Sequence, residues 1–250
     1  MIYVLSDIHG QKRHFDSIMK QIHLRPEDTL YILGDTIDRG PDGIKILRQL
    51  MDMPNAKMIL GNHEYMMLDA LYFEHKEYEF GWQFRQERRL ILWYQNGGLI
   101  THNYLKHIRK NIRVEIFEYL SNLPYNEHVV VNGQRFVLAH AAPTQLYRSN
   151  RPRTPYKTAE SFALWHRFTG CEDHPCDETI IFGHTGTCYY QDADPMRIWY
   201  GNGLIGIDCR AAYPTGINSK GRLACLRLDD MKEFYSEETE VKKKDDILYE

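Results

Sequence analysis

The sequence predicts an α/β fold built on a parallel or mixed sheet, and three observations carry that prediction. Short β-type apolar runs alternate with stretches of helical periodicity through the first quarter of the chain. Polar residues able to do chemistry follow directly on those runs. Hydrophobic residues make up 43% of the 250 residues, enough to fill the core of one large domain.

Residues 2–6 form the first β-type run, after which Phe15, Ile18, Met19 and Ile22 recur at helical spacing. A second run at 29–33 precedes a helix carrying Ile44, Leu47, Leu50 and Met51, and a third run occupies 57–60. This βαβαβ order implies strands joined by crossover helices. From 63 to about 123 no strand is evident. The segment reads as several helices rich in aromatic and charged residues, Trp82, Trp93 and Tyr94 among them. The last has an apolar face of Ile112, Ile116, Tyr119, Leu120 and Leu123 and stops at Pro124. Residues 129–138 predict a hairpin, with Asn132-Gly133 favouring a type I′ turn. Residues 144–160 read as a basic loop. Residues 179–182, 204–207 and 222–228 read as further strands, the last two closing a second sheet. From Glu237 onward the chain is densely charged and reads as a solvated tail.

A net charge of −3 supplies no positive field to draw in nucleic acid. The N-terminus has no basic n-region followed by an apolar run, so no signal peptide is expected. No apolar stretch approaches the roughly 20 residues of a membrane span. The five cysteines are odd in number and scattered, which suits reduced thiols and a cytoplasmic protein.

Five motifs each follow an expected strand: Asp7-Ile8-His9-Gly10; Gly34-Asp35-Thr36-Ile37-Asp38-Arg39-Gly40; Gly61-Asn62-His63-Glu64; His140; and Gly183-His184-Thr185. Residues at strand carboxyl ends gather on one edge of an α/β sheet, where such folds bind ligands. That edge would collect Asp7, His9, Asp35, Asn62, His140 and His184. Carboxylate, imidazole and amide oxygen together suit hard or borderline dications. A cation is also what lets Asp7 and Asp35 stay ionised side by side in a partly dry site. One carboxylate can bridge two metals roughly 3.5–4 Å apart, a geometry suited to displacement at phosphorus. Alone, each motif has a plainer explanation: a helix N-cap, a Gly-Asp-Pro turn, a core histidine. Their joint spacing, one βα unit from Asp7 to Asp35 and another to Asn62, favours the site.

The order and spacing of these motifs resemble the calcineurin-like metallophosphoesterases. Asp35-Thr36-Ile37-Asp38-Arg39-Gly40 is similar to the phosphoprotein-phosphatase branch, in its bacterial and phage forms. The resemblance runs from Met1 to about Leu228 and is weak between 65 and 125. It implies a four-layer α/β/β/α sandwich of two mixed sheets flanked by helices. Residues 1–235 would form the catalytic domain, with a helical cap-like insertion at about 65–125, and 236–250 the tail. It further implies two divalent metal ions, Mn²⁺ first and Fe or Zn²⁺ as fitting alternatives. Asp7, His9 and Asp35 would hold one, and Asp35, Asn62, His140 and His184 the other. His63 would be the general acid, with Asp38 orienting it. Arg39, Asn62 and a second arginine would bind the substrate phosphate. Leu164-Trp165-His166-Arg167 resembles the segment that carries the second arginine, which nominates Arg167 over Arg148, Arg151 and Arg153. Ala142 replaces the glycine usual after the histidine-alanine pair and constrains that loop without removing a ligand.

The resemblance implies hydrolysis of phosphate monoesters, first of phosphoserine and phosphothreonine in proteins. A bis-nucleoside polyphosphate hydrolase is the alternative, and a silent phospho-binding scaffold the second alternative. Partners would be a phosphorylated protein or small phosphorylated molecule, with no nucleic acid and no membrane. Nuclease or phosphodiesterase activity fits less well, because Arg39 suits a terminal, doubly charged phosphate. The aromatic residues 72–94 serve either helix packing or a substrate platform, packing being the commoner use. Cys171, His174 and Cys176 lack the spacing of a usual zinc knuckle. Asp208, Tyr213 and the glycine-containing loops at 201–203 and 216–221 border the expected site with no assigned contact.

Overall fold

The computed structural model describes residues 1–73, 82–151, 154–171, 177–213 and 221–237, and excludes the side chains of 82–85. In chain order the elements are β1 (Ile2–Leu5), α1 (Lys12–Ile22), β2 (Thr29–Ile32), α2 (Gly43–Met51), β3 (Ala56–Met58), α3 (Asn62–Leu71), α4 (Trp82–Gln95), α5 (Leu99–His107) and α6 (Lys110–Ser121). There follow β4 (Asn126–Val131), β5 (Gln134–Ala139), α7 (Tyr147–Asn150), α8 (Ala159–Trp165), β6 (Thr179–Phe182), β7 (Trp199–Tyr200), β8 (Leu204–Gly206), β9 (Ala224–Arg227) and β10 (Lys232–Tyr235).

These strands form two five-stranded mixed sheets, ordered β10-β9-β1-β2-β3 and β4-β5-β6-β8-β7. Strands β1, β2 and β3 run parallel, as do β5, β6 and β8. Side chains alternate between the faces of a strand, so each short apolar run feeds two cores. Val4, Tyr31, Leu33, Phe136, Leu138 and Ile181 meet between the sheets. Tyr3, Leu5, Leu30 and Ile32 face the other way, onto Phe15 and Ile18 of α1 and Ile44 and Leu47 of α2. Val137, Ile180 and Phe182 face Phe162 of α8. The result is helices, sheet, sheet and helix in four layers, which explains why the strands read as continuous apolar runs rather than alternating ones. Trp93, Leu105, Ile116 and Leu120 of α4, α5 and α6 join the same core as α1 and α2.

The hairpin falls where the sequence puts it, with Asn132 and Gly133 both at positive φ (51° and 81°), as a type I′ turn requires. Three departures have physical reasons. Residues 222–228, expected to close a second sheet together with 204–207, form β9, which pairs antiparallel with β1 of the first sheet, because an apolar run marks a strand without marking its partner. The stretch 144–160, expected as loop, contains α7 and the start of α8. Thr158 caps α8 by accepting from the Ser161 N–H at 3.1 Å, an N-cap signal hidden among basic residues. Strands β7 and β10 went unseen because they are short edge strands whose side chains are not fully buried, so they carry little apolar pattern.

Phe136 is fully buried between the sheets. Phe136→Ala is expected to lower the unfolding free energy by about 3–5 kcal/mol, measured by chemical denaturation at an unchanged m-value.

Candidate metal centre

All six parallel strands release polar residues at one edge of the sandwich. Asp7 and His9 follow β1, Asp35 follows β2, and Asn62 and His63 open α3 just after β3. His140 follows β5, His184 follows β6 and Asp208 follows β8. The chain must turn sharply to aim these side chains inward. Asp7, His9, Asp35, Asp38, Arg39 and His184 all sit at positive φ, six of the ten non-glycine residues that do so among those described. Such backbone is costly for residues with a Cβ and gathers where function needs it.

Hydrogen bonds hold these turns. His9 N–H donates to the Asp35 carbonyl at 2.9 Å and Gly10 N–H to the Thr36 carbonyl at 2.8 Å, zipping the first two loops together. The buried carboxylate of Glu64 accepts from the backbone N–H groups of Asp35 (2.8 Å), Thr36 (2.8 Å) and Ile37 (3.3 Å). Glu64 thus shapes the loop that carries Asp35 and Asp38. Gly34 and Gly61 meet at this point. A Cβ on Gly61 would overlap the Asp35 backbone nitrogen and carboxylate, and one on Gly34, at φ +79°, would strike Gly61.

The side chains converge on Asp35. Its Oδ2 lies 3.5 Å from His9 Nε2 and 3.8 Å from His63 Nε2, and its Oδ1 lies 3.5 Å from His140 Nε2. His140 Nε2 is 2.8 Å and His184 Nδ1 3.1 Å from Asn62 Oδ1. Asp7 Oδ1 is 3.9 Å from His9 Nε2, while its Oδ2 accepts from the Ser6 hydroxyl and, at 3.0 Å, from the His184 N–H. Two sets of three side chains, His9-Asp35-His63 and Asp35-His140-His184, each bring their donor atoms close enough to share an ion.

The chemistry of these donors fits a cation. His9 Nδ1 faces the Ile37 carbonyl at 3.0 Å and His140 Nδ1 the Leu33 carbonyl at 2.7 Å. A carbonyl only accepts, so each Nδ1 carries the proton and the neutral ring turns a bare Nε2 lone pair toward Asp35. Lone pairs therefore point at lone pairs, and His184 Nε2 is buried without a partner. Burial pushes Asp7 and Asp35 well above the usual carboxylate range. For Asp7, the carboxylates of Asp208 and Asp35 add to the effect, and for Asp35 the neighbour is Glu64. Burial likewise pushes His9, His63 and His184 well below the usual imidazole range. A dication answers both pressures, because it keeps carboxylates ionised and binds imidazoles in their neutral form.

Beside this cluster, Asp38 Oδ2 lies 2.7 Å from His63 Nδ1 and accepts from the Trp93 indole N–H at 2.8 Å. The Asp38 N–H donates to Thr101 Oγ1 at 3.1 Å. Burial raises Asp38 to about 7, opposed by hydrogen bonds from Thr101 and Trp93 and by Arg39. Arg39 donates to His9 Nε2 at 2.8 Å and His63 Nε2 at 3.1 Å, so its guanidinium shares these imidazole lone pairs. Arg39 also borders a cleft of about 110 Å³, together with Arg167, Asp208, Arg210, Tyr189 and Tyr213. Arg167 donates to the His184 carbonyl at 3.2 Å and to Thr185 Oγ1 at 3.1 Å.

Every residue the sequence nominated thus meets here: Asp7, His9, Asp35, Asp38, Arg39, Asn62, His63, His140, Arg167 and His184. Arg148 and Arg151 do not line the cleft. Arg210 does, and sequence reasoning missed it, although its place just beyond a strand end beside Asp208 was a usable signal. Its guanidinium lies 4.6 Å from the Tyr213 ring centroid, and that of Arg39 lies 5.3 Å from it. The roles of Glu64, Ser6 and Thr101 were also missed, since backbone acceptors and second partners have no sequence pattern. Trp93 is fully buried, so it packs and hydrogen-bonds and offers no platform for a substrate ring. Arg153, His174, Cys176, residues 216–220, the Trp82 side chain and the tail from 238 lie outside the described residues.

The sequence profile of the calcineurin-like phosphoesterases matches residues 1–204. The chain is 31% identical over 144 residues to serine/threonine-protein phosphatase 2 of Salmonella typhimurium, covering 56% of this chain and 57% of that protein. It is 41% identical over 78 residues to the symmetrical bis(5'-nucleosyl)-tetraphosphatase of Buchnera aphidicola, covering 30% of this chain and 28% of that one. The matched stretches thus span from about a quarter to just over half of these relatives. The crystal structure of a metallophosphoesterase from Sphaerobacter thermophilus superposes with a TM-score of 0.51 at 14% identity, over 94% of this chain and 87% of that one, a likeness of fold.

Gly61→Ala places a methyl against Asp35. The variant is expected to keep its circular dichroism spectrum and to lose at least about tenfold in dication affinity, read by calorimetric titration with Mn²⁺.

Proposed function

Because the chain belongs to the calcineurin-like phosphoesterase family, we propose that it hydrolyses phosphate monoesters at a centre of two divalent cations. Asp7, His9 and Asp35 hold one cation, and Asp35, Asn62, His140 and His184 hold the other. Mn²⁺ is the first candidate, and Fe or Zn²⁺ suits the same donors. The observation that carries this reading is the position of Asp35, which belongs to both candidate ion-holding sets and turns one oxygen to each. A pair of dications held there would bring the pKa of a water toward neutrality and offset charge on the phosphoryl group.

The side chains do the rest. Asp38 fixes the His63 ring through Nδ1. In the free site burial and Arg39 keep His63 neutral, and a bound phosphate, by drawing Arg39 off Nε2 and adding negative charge, would let His63 carry the proton that it gives to the departing alkoxide. Asp38 is itself fixed by Trp93 and Thr101. Arg39 and Arg167, with the Asn62 amide, bind the phosphate oxygens, for which the planar guanidinium fork is suited. Arg210 adds a third guanidinium to the cleft wall. Such a concentration of positive charge suits a terminal, doubly charged phosphate.

The substrate we infer is phosphoserine or phosphothreonine in a protein. A cleft of about 110 Å³ suits a phosphorylated side chain better than a dinucleotide, and the buried Trp93 cannot stack a base. Hydrolysis of bis-nucleoside polyphosphates is the second reading, favoured by Tyr189, which borders the cleft and is 72% exposed. A silent scaffold is a poorer reading, because the whole candidate ligand set and His63 are present. We place the activity in the cytoplasm, in keeping with the free thiols of Cys171, Cys188, Cys209 and Cys225. No helix among the described residues is long and apolar enough to cross a membrane.

Comparing kcat/KM with Mn²⁺ across phosphopeptides, bis-nucleoside polyphosphates, phosphodiesters and an aryl phosphate tests the substrate. Highest efficiency on phosphoserine or phosphothreonine peptides is expected, and preference for the nucleotides would replace the first reading by the second. Asp35→Asn is expected to empty both cation sites and abolish turnover, and activity near wild type would refute bridging. His63→Asn is expected to retain metal and lower kcat by roughly 10²–10⁴-fold on alkyl phosphates, with a smaller loss on aryl phosphates. An equal loss on both would remove His63 from the acid role.

A further inference from the structure

A second pocket, of about 350 Å³, opens among α3, α5 and α6 and shares no lining residue with the arginine-bordered cleft. That volume lies within the range of small-molecule sites. Its apolar surface comes from Leu71, Leu105, Val114 and Phe117. Leu105 and Phe117 are buried in the core beneath the pocket, whereas Val114 and Tyr72, each 37% exposed, present its apolar surface to solvent.

The polar part of the lining is cationic. Lys106, Lys110 and Arg113 border the pocket, and among the described residues no carboxylate does. Their hydrogen bonds run to neutral groups: Lys106 donates to Asn103 Oδ1 at 3.3 Å and Arg113 to the Leu105 carbonyl at 3.5 Å. Three cations beside an apolar hollow complement a ligand with an acidic head and an apolar body.

One wall of the pocket leads toward the metal centre. His102 lines it and stacks on Trp93, with ring centroids 5.6 Å apart and planes 29° apart. Trp93 donates to Asp38, and Asp38 meets His63. Thr101, the residue before His102, accepts from the Asp38 N–H.

We propose that this pocket binds a medium-chain amphipathic anion, its tail against Tyr72 and Val114 and its head among Lys106, Lys110 and Arg113. Its occupancy shifts His102 and, through Trp93, resets the Asp38–His63 pair. The binding site stands independently of the reaction assigned above, whereas the coupling rests on His63 acting in that reaction.

The full chain titrated calorimetrically with octanoate is expected to show saturable single-site binding, with neutral octanol at least about tenfold weaker because it lacks the charge-assisted contact. In the presence of Mn²⁺, saturating octanoate is expected to change kcat on an aryl phosphate by about fivefold or more. Val114→Glu and Lys106→Glu, both on helix surface, should each weaken octanoate by at least about tenfold and leave turnover without octanoate unchanged. His102→Phe should retain octanoate binding and lose the kcat response. No saturable heat, or undiminished binding by both glutamate variants, overturns the site. A kcat response that survives His102→Phe overturns the coupling. Saturable octanoate binding by a protein that turns over no phosphate ester upholds the pocket and condemns the proposed reaction instead.

Discussion

Both oxygens of Asp35 face imidazole nitrogens, and the N–H groups of those rings are committed elsewhere. The rest of the structure is arranged around that constraint. His9 and His140 direct Nδ1 onto backbone carbonyls, so neither ring can donate to Asp35 while neutral. Left alone, such a gathering of acceptors would protonate or separate. It persists because the turns that carry it are fastened from behind, by Glu64 on the backbone of residues 35–37 and by the hydrogen bonds that join the first two loops. The strained φ values of six residues at the site are the cost of aiming these side chains inward, and the two-sheet core is the source of the stability that offsets it.

The same constraint explains the division of labour between the two sheets. Strands β1, β2 and β3 deliver the carboxylates, the amide and the first two imidazoles, while β5 and β6 deliver the other two. The first sheet alone gathers the donors for one cation, but the second set, Asp35-His140-His184, is complete only when both sheets contribute. The site therefore depends on the packing of Val4, Tyr31 and Leu33 against Phe136, Leu138 and Ile181, which sets how far Asp35 stands from His140. Helices α4 and α5 contribute differently. They supply no candidate ligand, yet Trp93 and Thr101 hold Asp38, so the helical segment fixes the proton chemistry rather than the cation.

Much of the fold was legible because it rests on local pattern. A strand buried on both faces reads as a short apolar run, and a helix with one buried stripe reads at 3.6-residue spacing. That was enough for β1, β2, β6 and the Asn132-Gly133 hairpin. The edge strands β7 and β10 carry half-exposed side chains and leave no such trace. In the site, the nominated donors were legible because each follows a strand, and strand ends converge by topology. Trp93 was ambiguous for the opposite reason: the same aromatic residue serves a platform or a core, and burial alone separates them.

The sequence by itself determined which groups could hold a cation and the order in which strands would present them, since residue type and spacing are local properties. It determined that His63, Asp38 and Arg39 would lie near the same edge. The tertiary structure decided what those groups do to one another. It set which imidazole nitrogen is bare, because that depends on carbonyls of Leu33 and Ile37 lying 107 and 28 residues away in the chain. It also brought Arg210 to the cleft, buried Trp93 against Asp38, and opened a cationic hollow behind His102. Each of these is a distance between residues far apart in sequence, and only the packing of the layers fixes such distances.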